Sequence, residues 1–269
     1  MEQAEKVIYY EDMNEEHSGH KIKIKKPIDK NYKYINNNIF YKIFSFITYR
    51  LIATPIAFIY CKLFKRIKFV NKKVLKKCKG KGYFVYANHT NQYSDVFSPH
   101  LISFPKKTYT VVNAENVNIP ILGDATKTLG AIPVPTKIDG TRNFINVLEK
   151  RILQGHPVLI YPEAHIWPYY TGIRPFSSTS FRYPVRFREP SYCYTTTYQK
   201  TKNNKKPKIV IYVDGPFYPD RSLNEKEQQE VLRNEIYACM IERSKNSNYE
   251  YVKYVQKEND EKWYERSKW

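Results

Sequence analysis

His89 and Asp95 stand six positions apart in Asn88-His89-Thr90-Asn91-Gln92-Tyr93-Ser94-Asp95, directly after the apolar run 83–87. A strand end that delivers an imidazole and a carboxylate to one loop can build a general base with the partner that orients it. On a regular helix, facing residues sit three or four apart, so a six-residue separation requires the two side chains to meet across a turn. Taken alone the pair also fits a surface or structural contact. A second apolar run, Val158-Leu159-Ile160-Tyr161, ends in Pro162-Glu163 and places another carboxylate at a strand end. That glutamate can serve a substrate or sit buried and hydrogen-bonded.

The elements that must hold these groups alternate along the chain. Strands are predicted at 83–87, 108–112, 131–134, 158–161, 192–198 and 209–213, and helices at 95–103, 119–129, 141–153 and 223–242. Phe144, Ile145, Val147, Leu148 and Ile152 recur at helical spacing, and Gly155 stops that helix. Asn118 and Pro120 open the helix before it and Gly130 closes it. Residues 164–190 read as one long loop rich in Pro, Tyr, Trp, Ser and Arg. Val231, Leu232, Ile236, Met240 and Ile241 give 223–242 an apolar stripe suited to capping a sheet. Strands interleaved with helices imply an α/β sandwich, a central mixed sheet flanked by helices.

Three blocks in this order and spacing resemble the glycerophospholipid acyltransferase family, best known through the 1-acylglycerol-3-phosphate acyltransferases: Asn88-His89 after one strand, Leu129-Gly130-Ala131-Ile132-Pro133-Val134, and Tyr161-Pro162-Glu163 after another. The resemblance covers residues 81–219. It implies that His89 takes the proton of an acceptor hydroxyl while Asp95 holds its other ring nitrogen. The acyl group would then pass directly from acyl-CoA or acyl-carrier protein, with no acyl-enzyme, cofactor or metal. The implied acceptor is a lysophospholipid, with Glu163 and Asn88 beside it.

The chain departs from the family at several points. Five residues separate His89 from Asp95, where the family has four. The arginine that ends the family's second block is missing, and its third block, Phe-Pro-Glu-Gly-Thr-Arg, reads Tyr161-Pro162-Glu163-Ala164-His165-Ile166 here. A phosphate needs cationic or backbone donors, and Lys137, Arg142, His165 and Arg174 are the nearby candidates. The alternative is an acceptor without phosphate, a glycolipid or another lysolipid. Arg174-Pro175-Phe176 looks like the family's Pro-Phe step and would place Phe176 on the acyl or acceptor groove. His100, after Pro99, is expected to serve packing.

Charge divides the chain. Residues 1–20 hold six acids against one lysine, whereas 21–81 hold eighteen Lys or Arg against Asp29 alone, within an overall net charge of +19. Such a block attracts a polyanion, either nucleic acid or an anionic membrane. The aromatic residues precede the basic stretch 62–81 rather than interleave with it, which favours a membrane and argues against a nucleic-acid partner. Residues 39–60 are long and apolar enough to span, but Lys42, Arg50 and Pro55 favour two short helices in one leaflet or one interfacial helix. A buried core helix is the bland alternative. Cys61, Cys78, Cys193 and Cys239 have neither zinc nor disulfide spacing and suit a reduced compartment. No signal peptide is visible in the polar first twenty residues.

The division expected is therefore a polar, poorly ordered tail (1–38), an apolar and polybasic membrane-association segment (39–80), the α/β domain (81–220) and a helical C-terminal region (221–269), on the cytoplasmic face of a membrane. A basic protein with the same fold but no turnover, binding anionic lipid or nucleic acid, is the non-enzymatic alternative.

Overall fold

The computed structural model describes residues 6–17, 24–78, 80–119, 123–201 and 206–257. In chain order the elements are β1 (Lys6–Tyr10), α1 (Ile39–Phe64), β2 (Lys68–Val70), β3 (Tyr83–Ala87), α2 (Ser94–Ile102), β4 (Tyr109–Val112), α3 (Gly123–Thr128), β5 (Ala131–Pro133), α4 (Thr141–Leu153), β6 (Pro157–Ile160), α5 (Arg182–Phe187), β7 (Ser191–Gln199), β8 (Lys208–Phe217), α6 (Glu225–Ser244) and β9 (Val252–Gln256). Seven strands form one sheet in the order β2-β8-β7-β3-β6-β4-β5. Strands β7, β3, β6, β4 and β5 run parallel, while β8 is antiparallel to β7 and carries β2 alongside it. The sheet is mixed and flanked by helices.

Strand β3 lies mid-sheet and is buried on both faces, which is why it reads as an unbroken apolar run. Its two-residue period sorts the core. Phe84 and Tyr86 pack with Phe144, Val147 and Leu148 of α4 and with Leu232, Ile236 and Met240 of α6. Tyr83, Val85 and Ala87 face the other way, toward Cys61 of α1 and Leu101 and Ile102 of α2.

Several expectations need correction. The described parts of 1–38 are not a loose tail. β1 pairs in parallel with β9, and Ile28 is fully buried against Ala114 and Val117. Ile28 also exchanges hydrogen bonds with Thr136, and the Asn118 side chain accepts from the Lys25 and Lys26 backbone at 3.1 and 2.8 Å. One isoleucine and a few tyrosines anchor a stretch whose lysine and asparagine content hides them. The basic stretch likewise belongs in part to the fold, since β2 adds an edge strand to β8 and a 3₁₀ helix at Lys72–Cys78 follows with Cys78 buried. The loop 164–190 contains α5, and within 249–269 residues 252–256 form strand β9 rather than helix. Residues 258–269 and 120–122, including Pro120, lie outside the described residues; the helix expected at 119–129 is described over Gly123–Thr128.

Pro55 does not divide α1. The helix widens into π turns at Thr48–Ala53 and Ile59–Phe64, with Thr54 N–H and Lys65 N–H reaching back five residues to the carbonyls of Tyr49 and Tyr60. A π turn directly before the proline relieves the clash between its ring and the preceding carbonyls. One continuous helix results. Only Tyr49, Ala57 and Cys61 of its 26 residues are buried.

Candidate active site

The register of the sheet brings the two sequence blocks together. Tyr86 of β3 pairs with Ile160 of β6, so the residues three positions beyond each, His89 and Glu163, leave the sheet side by side. The His89 backbone N–H donates to Glu163 Oε2 at 3.1 Å. The chain then turns, and Asp95 enters in the first turn of α2 with its Oδ2 2.8 Å from His89 Nδ1. Thr90 N–H and Asn91 N–H donate to the same oxygen at 3.1 and 3.0 Å, and Asn91 Oδ1 accepts from Ser94 N–H. The extra residue is absorbed in this asparagine-capped turn.

A carboxylate that already receives two N–H groups is an acceptor, so the proton between it and the ring belongs to His89 Nδ1. That tautomer leaves Nε2 with its lone pair. The His89 side chain is 24% exposed and that of Asp95 only 4%, an accessible imidazole on an enclosed carboxylate. Tyr161, which the sequence marked only as a strand residue, completes the unit. Its ring stacks on His89 at 4.4 Å between centroids, and its hydroxyl donates to the Asp95 carbonyl at 2.8 Å. Burial pushes the Tyr161 phenol well up, so it remains a neutral donor.

Glu163 is buried, and its carboxylate is engaged by the protein itself. Its Oε1 accepts from Arg174 N–H at 3.0 Å, and its Oε2 lies 3.4 Å from the Arg174 guanidinium. Burial pushes its carboxyl up, against the pull of Arg174 and the two N–H donors. Arg174 is 1% exposed; it donates to the carbonyls of Met13 and His165 and stacks over Trp167. It is therefore spent on the fold rather than on a phosphate. Trp167 and Tyr169 donate their backbone N–H groups to the His89 and Thr90 carbonyls at 3.0 and 2.7 Å, pinning this loop to the turn. The N-terminal segment covers it, with Trp167 Nε1 donating to the Glu15 carbonyl and His165 Nδ1 2.7 Å from Glu16 Oε2.

The remaining candidates disperse. The Asn88 amide is committed to β7, donating to the Thr196 carbonyl and accepting from its N–H at 3.0 and 2.8 Å. Phe176 packs in the core between Phe181 and Tyr237 instead of lining a groove. Lys137 lines an open cleft of about 280 Å³ together with Thr141, Arg182 and Tyr183, just past the end of β5 and so on the same edge of the sheet as His89. Arg142 is exposed in the first turn of α4. Among the described residues, Cys193, Asp214 and Cys239 form the one group with metal-ligand chemistry, and there Arg243 holds the Asp214 carboxylate at 2.6 and 2.8 Å. All four cysteines are free.

The mixed sheet, with a histidine–aspartate pair where its middle strand meets a helix, defines an α/β protein of the acyltransferase type. Residues 66–198 match the family model described as Acyltransferase. Over this domain, just under half of its length, the chain is similar to the Acyltransferase family, and acyl transfer is the activity that the match supports. Among solved structures it is similar to the 1-acyl-sn-glycerophosphate (LPA) acyltransferase PlsC from Thermotoga maritima, with 15% identity and a TM-score of 0.53 over 78% of this chain and 89% of that one. At that identity the likeness speaks for the fold. Comparison with curated protein sequences returns no match.

Proposed function

We propose that this acyltransferase moves a fatty acyl group from a thioester donor, acyl-CoA or acyl-carrier protein, to a hydroxyl of a lysophospholipid-type acceptor at a membrane surface. The observation that supports the mechanism is the 2.8 Å contact between His89 Nδ1 and Asp95 Oδ2. With Nδ1–H held by the carboxylate, Nε2 takes the acceptor's hydroxyl proton as its oxygen attacks the thioester carbonyl. Collapse of the tetrahedral intermediate breaks the carbon–sulfur bond, and the imidazolium returns its proton to the departing thiolate. The ester forms, the thiol leaves and His89 is regenerated. No cofactor enters this cycle.

A second reading of the acceptor rests on Arg174. Since it is locked against Glu163 and backbone carbonyls, a phosphate would have to be met by Lys137 and Arg182 in the cleft beyond β5. An acceptor without phosphate needs neither. Membrane contact is assigned to α1. It packs along α2, with Tyr49 on His100 and Tyr60 on Phe97, so crossing the bilayer would drag α2 in with it. Lying in one leaflet satisfies both, and the adjoining lysines suit an anionic cytoplasmic surface.

The test is acyl transfer by detergent-solubilised protein, wild type beside His89→Ala, with labelled acyl-CoA or acyl-carrier protein. Lysophosphatidate, neutral lysolipids and glycolipids serve as acceptors. Transfer by wild type that the variant loses is the expected result, and the preferred acceptor decides between the two readings. Undiminished transfer by a folded variant would overturn the mechanism.

A further inference from the structure

At the edge of the sheet opposite His89, basic groups converge around two tyrosine rings. Lys107 Nζ lies 4.8 Å from the centroid of Tyr49 and 5.4 Å from that of Tyr109. The Arg50 guanidinium sits over Tyr49 at 5.5 Å, and His100 stacks beneath the same ring at 4.5 Å. The Arg151 guanidinium sits over Tyr109 at 4.4 Å, with His156 against its edge at 5.3 Å. These residues come from α1, the end of α2, the approach to β4, the end of α4 and the approach to β6. No single segment of sequence announces them.

Among the described residues Arg50, Lys107 and Arg151 form no ion pair with an acid. Their hydrogen bonds go to neutral acceptors: Lys107 donates to Ser45 Oγ and the Thr128 carbonyl, Arg50 to the Pro105 carbonyl and Arg151 to Gln154 Oε1. The charges acting on Lys107 are those of Arg151 and Arg50, and those on His100 are Lys107 and Arg50. His156 feels Arg151, Lys107, Lys106 and Arg50. Burial and this mutual repulsion bring the Lys107 amine down to about 7 and both imidazoles down to about 4. Glu189, an acid at this edge of the sheet, feels the charge of Lys81. His100 Nδ1 and His156 Nδ1 are buried without a hydrogen-bond partner. Arg50, Lys106, Lys107, Arg151 and His156 remain half-exposed, so the cluster opens to the surface. Cations held together in this way repel one another, and an anion joining them would relieve that repulsion.

We infer that this cluster is a second binding site, for the phosphate of an anionic lipid headgroup, separate from the His89 site. The lipid source follows from where it opens. Arg50 belongs to α1, whose neighbouring Phe46, Ile47 and Leu51 are exposed, and Arg50 also lies over the exposed ring of Phe104. A headgroup held by Arg50, Lys107 and Arg151 would therefore have its acyl chains beside apolar side chains. The site rests on the membrane-association reading given above for α1.

Binding to vesicles separates the two. The probes are pure phosphatidylcholine and phosphatidylcholine mixed with an equal part of phosphatidylglycerol, tested with wild type, Lys107→Gln/Arg151→Gln and a charge-matched control, Arg221→Gln/Lys226→Gln, at exposed positions before and at the start of α6. We expect wild type to prefer the anionic vesicles, the first variant to lose about tenfold or more of that affinity and the control to lose little. Phosphatidylglycerol vesicles should protect the wild-type Lys107 amine from an acylating reagent, and inorganic phosphate at the same phosphate concentration should not. Equal losses in both variants would overturn the site in favour of diffuse attraction. Protection by inorganic phosphate would overturn the lipid source. Failure to bind either vesicle would overturn the membrane reading itself, whereas equal binding to both would overturn this site alone.

Discussion

His89, Asp95 and Tyr161 form a small closed circuit in which each side chain fixes another. Asp95 has two jobs, holding the Nδ1 proton and ordering the turn through two backbone N–H groups. Asp95→Asn should therefore leave the α/β fold in place but let the imidazole take the wrong tautomer. The expected result is a fall in kcat of about 10²–10⁴ with a smaller change in KM; a variant with unchanged kcat would show that Asp95 is structural only. Glu163 belongs to a different circuit. Because it balances Arg174, which is 1% exposed, Glu163→Gln leaves a buried guanidinium without its partner. Such a change costs about 3–5 kcal/mol, and a double replacement of both residues by apolar ones should recover part of it. Thermal melting of the two single variants and the double variant tests this; unaltered melting of Glu163→Gln would mean the pair contributes nothing.

The elements show what was legible in the sequence and what was not. Strands β3 and β6, helices α2 and α4, and the placement of His89 against Asp95 could all be read from unbroken apolar runs, one helical period and two polar strand ends. Glu163 was legible as a strand-end carboxylate that could serve a substrate or sit buried and hydrogen-bonded, but its partner was not, because Arg174 lies in a loop without periodicity. Tyr161 was hidden for a related reason: a tyrosine ending an apolar strand looks like core until the neighbouring strand places His89 against it. β1 and β9 escaped detection because they complete each other across nearly the whole chain, and local sequence says nothing of a partner so distant. The basic cluster is the same lesson, with five segments supplying it, and it gives the elements a pH dependence. His100 has its pKa lowered from 6.5 to about 4, so between those values the unfolded chain binds a proton that the folded one refuses. Stability should fall as pH drops from 6.5 to about 4, by on the order of 3 kcal/mol at most for His100. His156 has the same direction. Urea midpoints across that range should slope less in His100→Phe, which keeps the ring on Tyr49; an identical slope would place the titration elsewhere.

For the whole molecule the governing fact is that α1 packs on the domain by a narrow stripe and presents the rest of its apolar surface outward. Phe40, Phe44, Phe46, Leu51, Leu63 and Phe64 are each 60–77% exposed, far more than scattered surface residues require. At 26 residues the helix is about 39 Å long, beyond the roughly 30 Å of a bilayer's hydrocarbon. Length alone would permit a crossing, but its contacts with α2 run along its side, which fits the in-plane attachment proposed for it. Two forces should then hold the protein on a membrane, and salt distinguishes them. Electrostatic attraction of the basic surface is largely screened at about 1 M salt, where the Debye length is about 3 Å. Apolar insertion persists, at about 1.5–3 kcal/mol for each large side chain buried. Wild type should therefore stay on phosphatidylcholine vesicles through a wash at about 1 M salt. Phe44→Asp/Leu51→Asp should release it without unfolding, since neither side chain supports the core. Release of wild type by salt alone would mean that charge, not α1, holds the enzyme where its lipid acceptor lies.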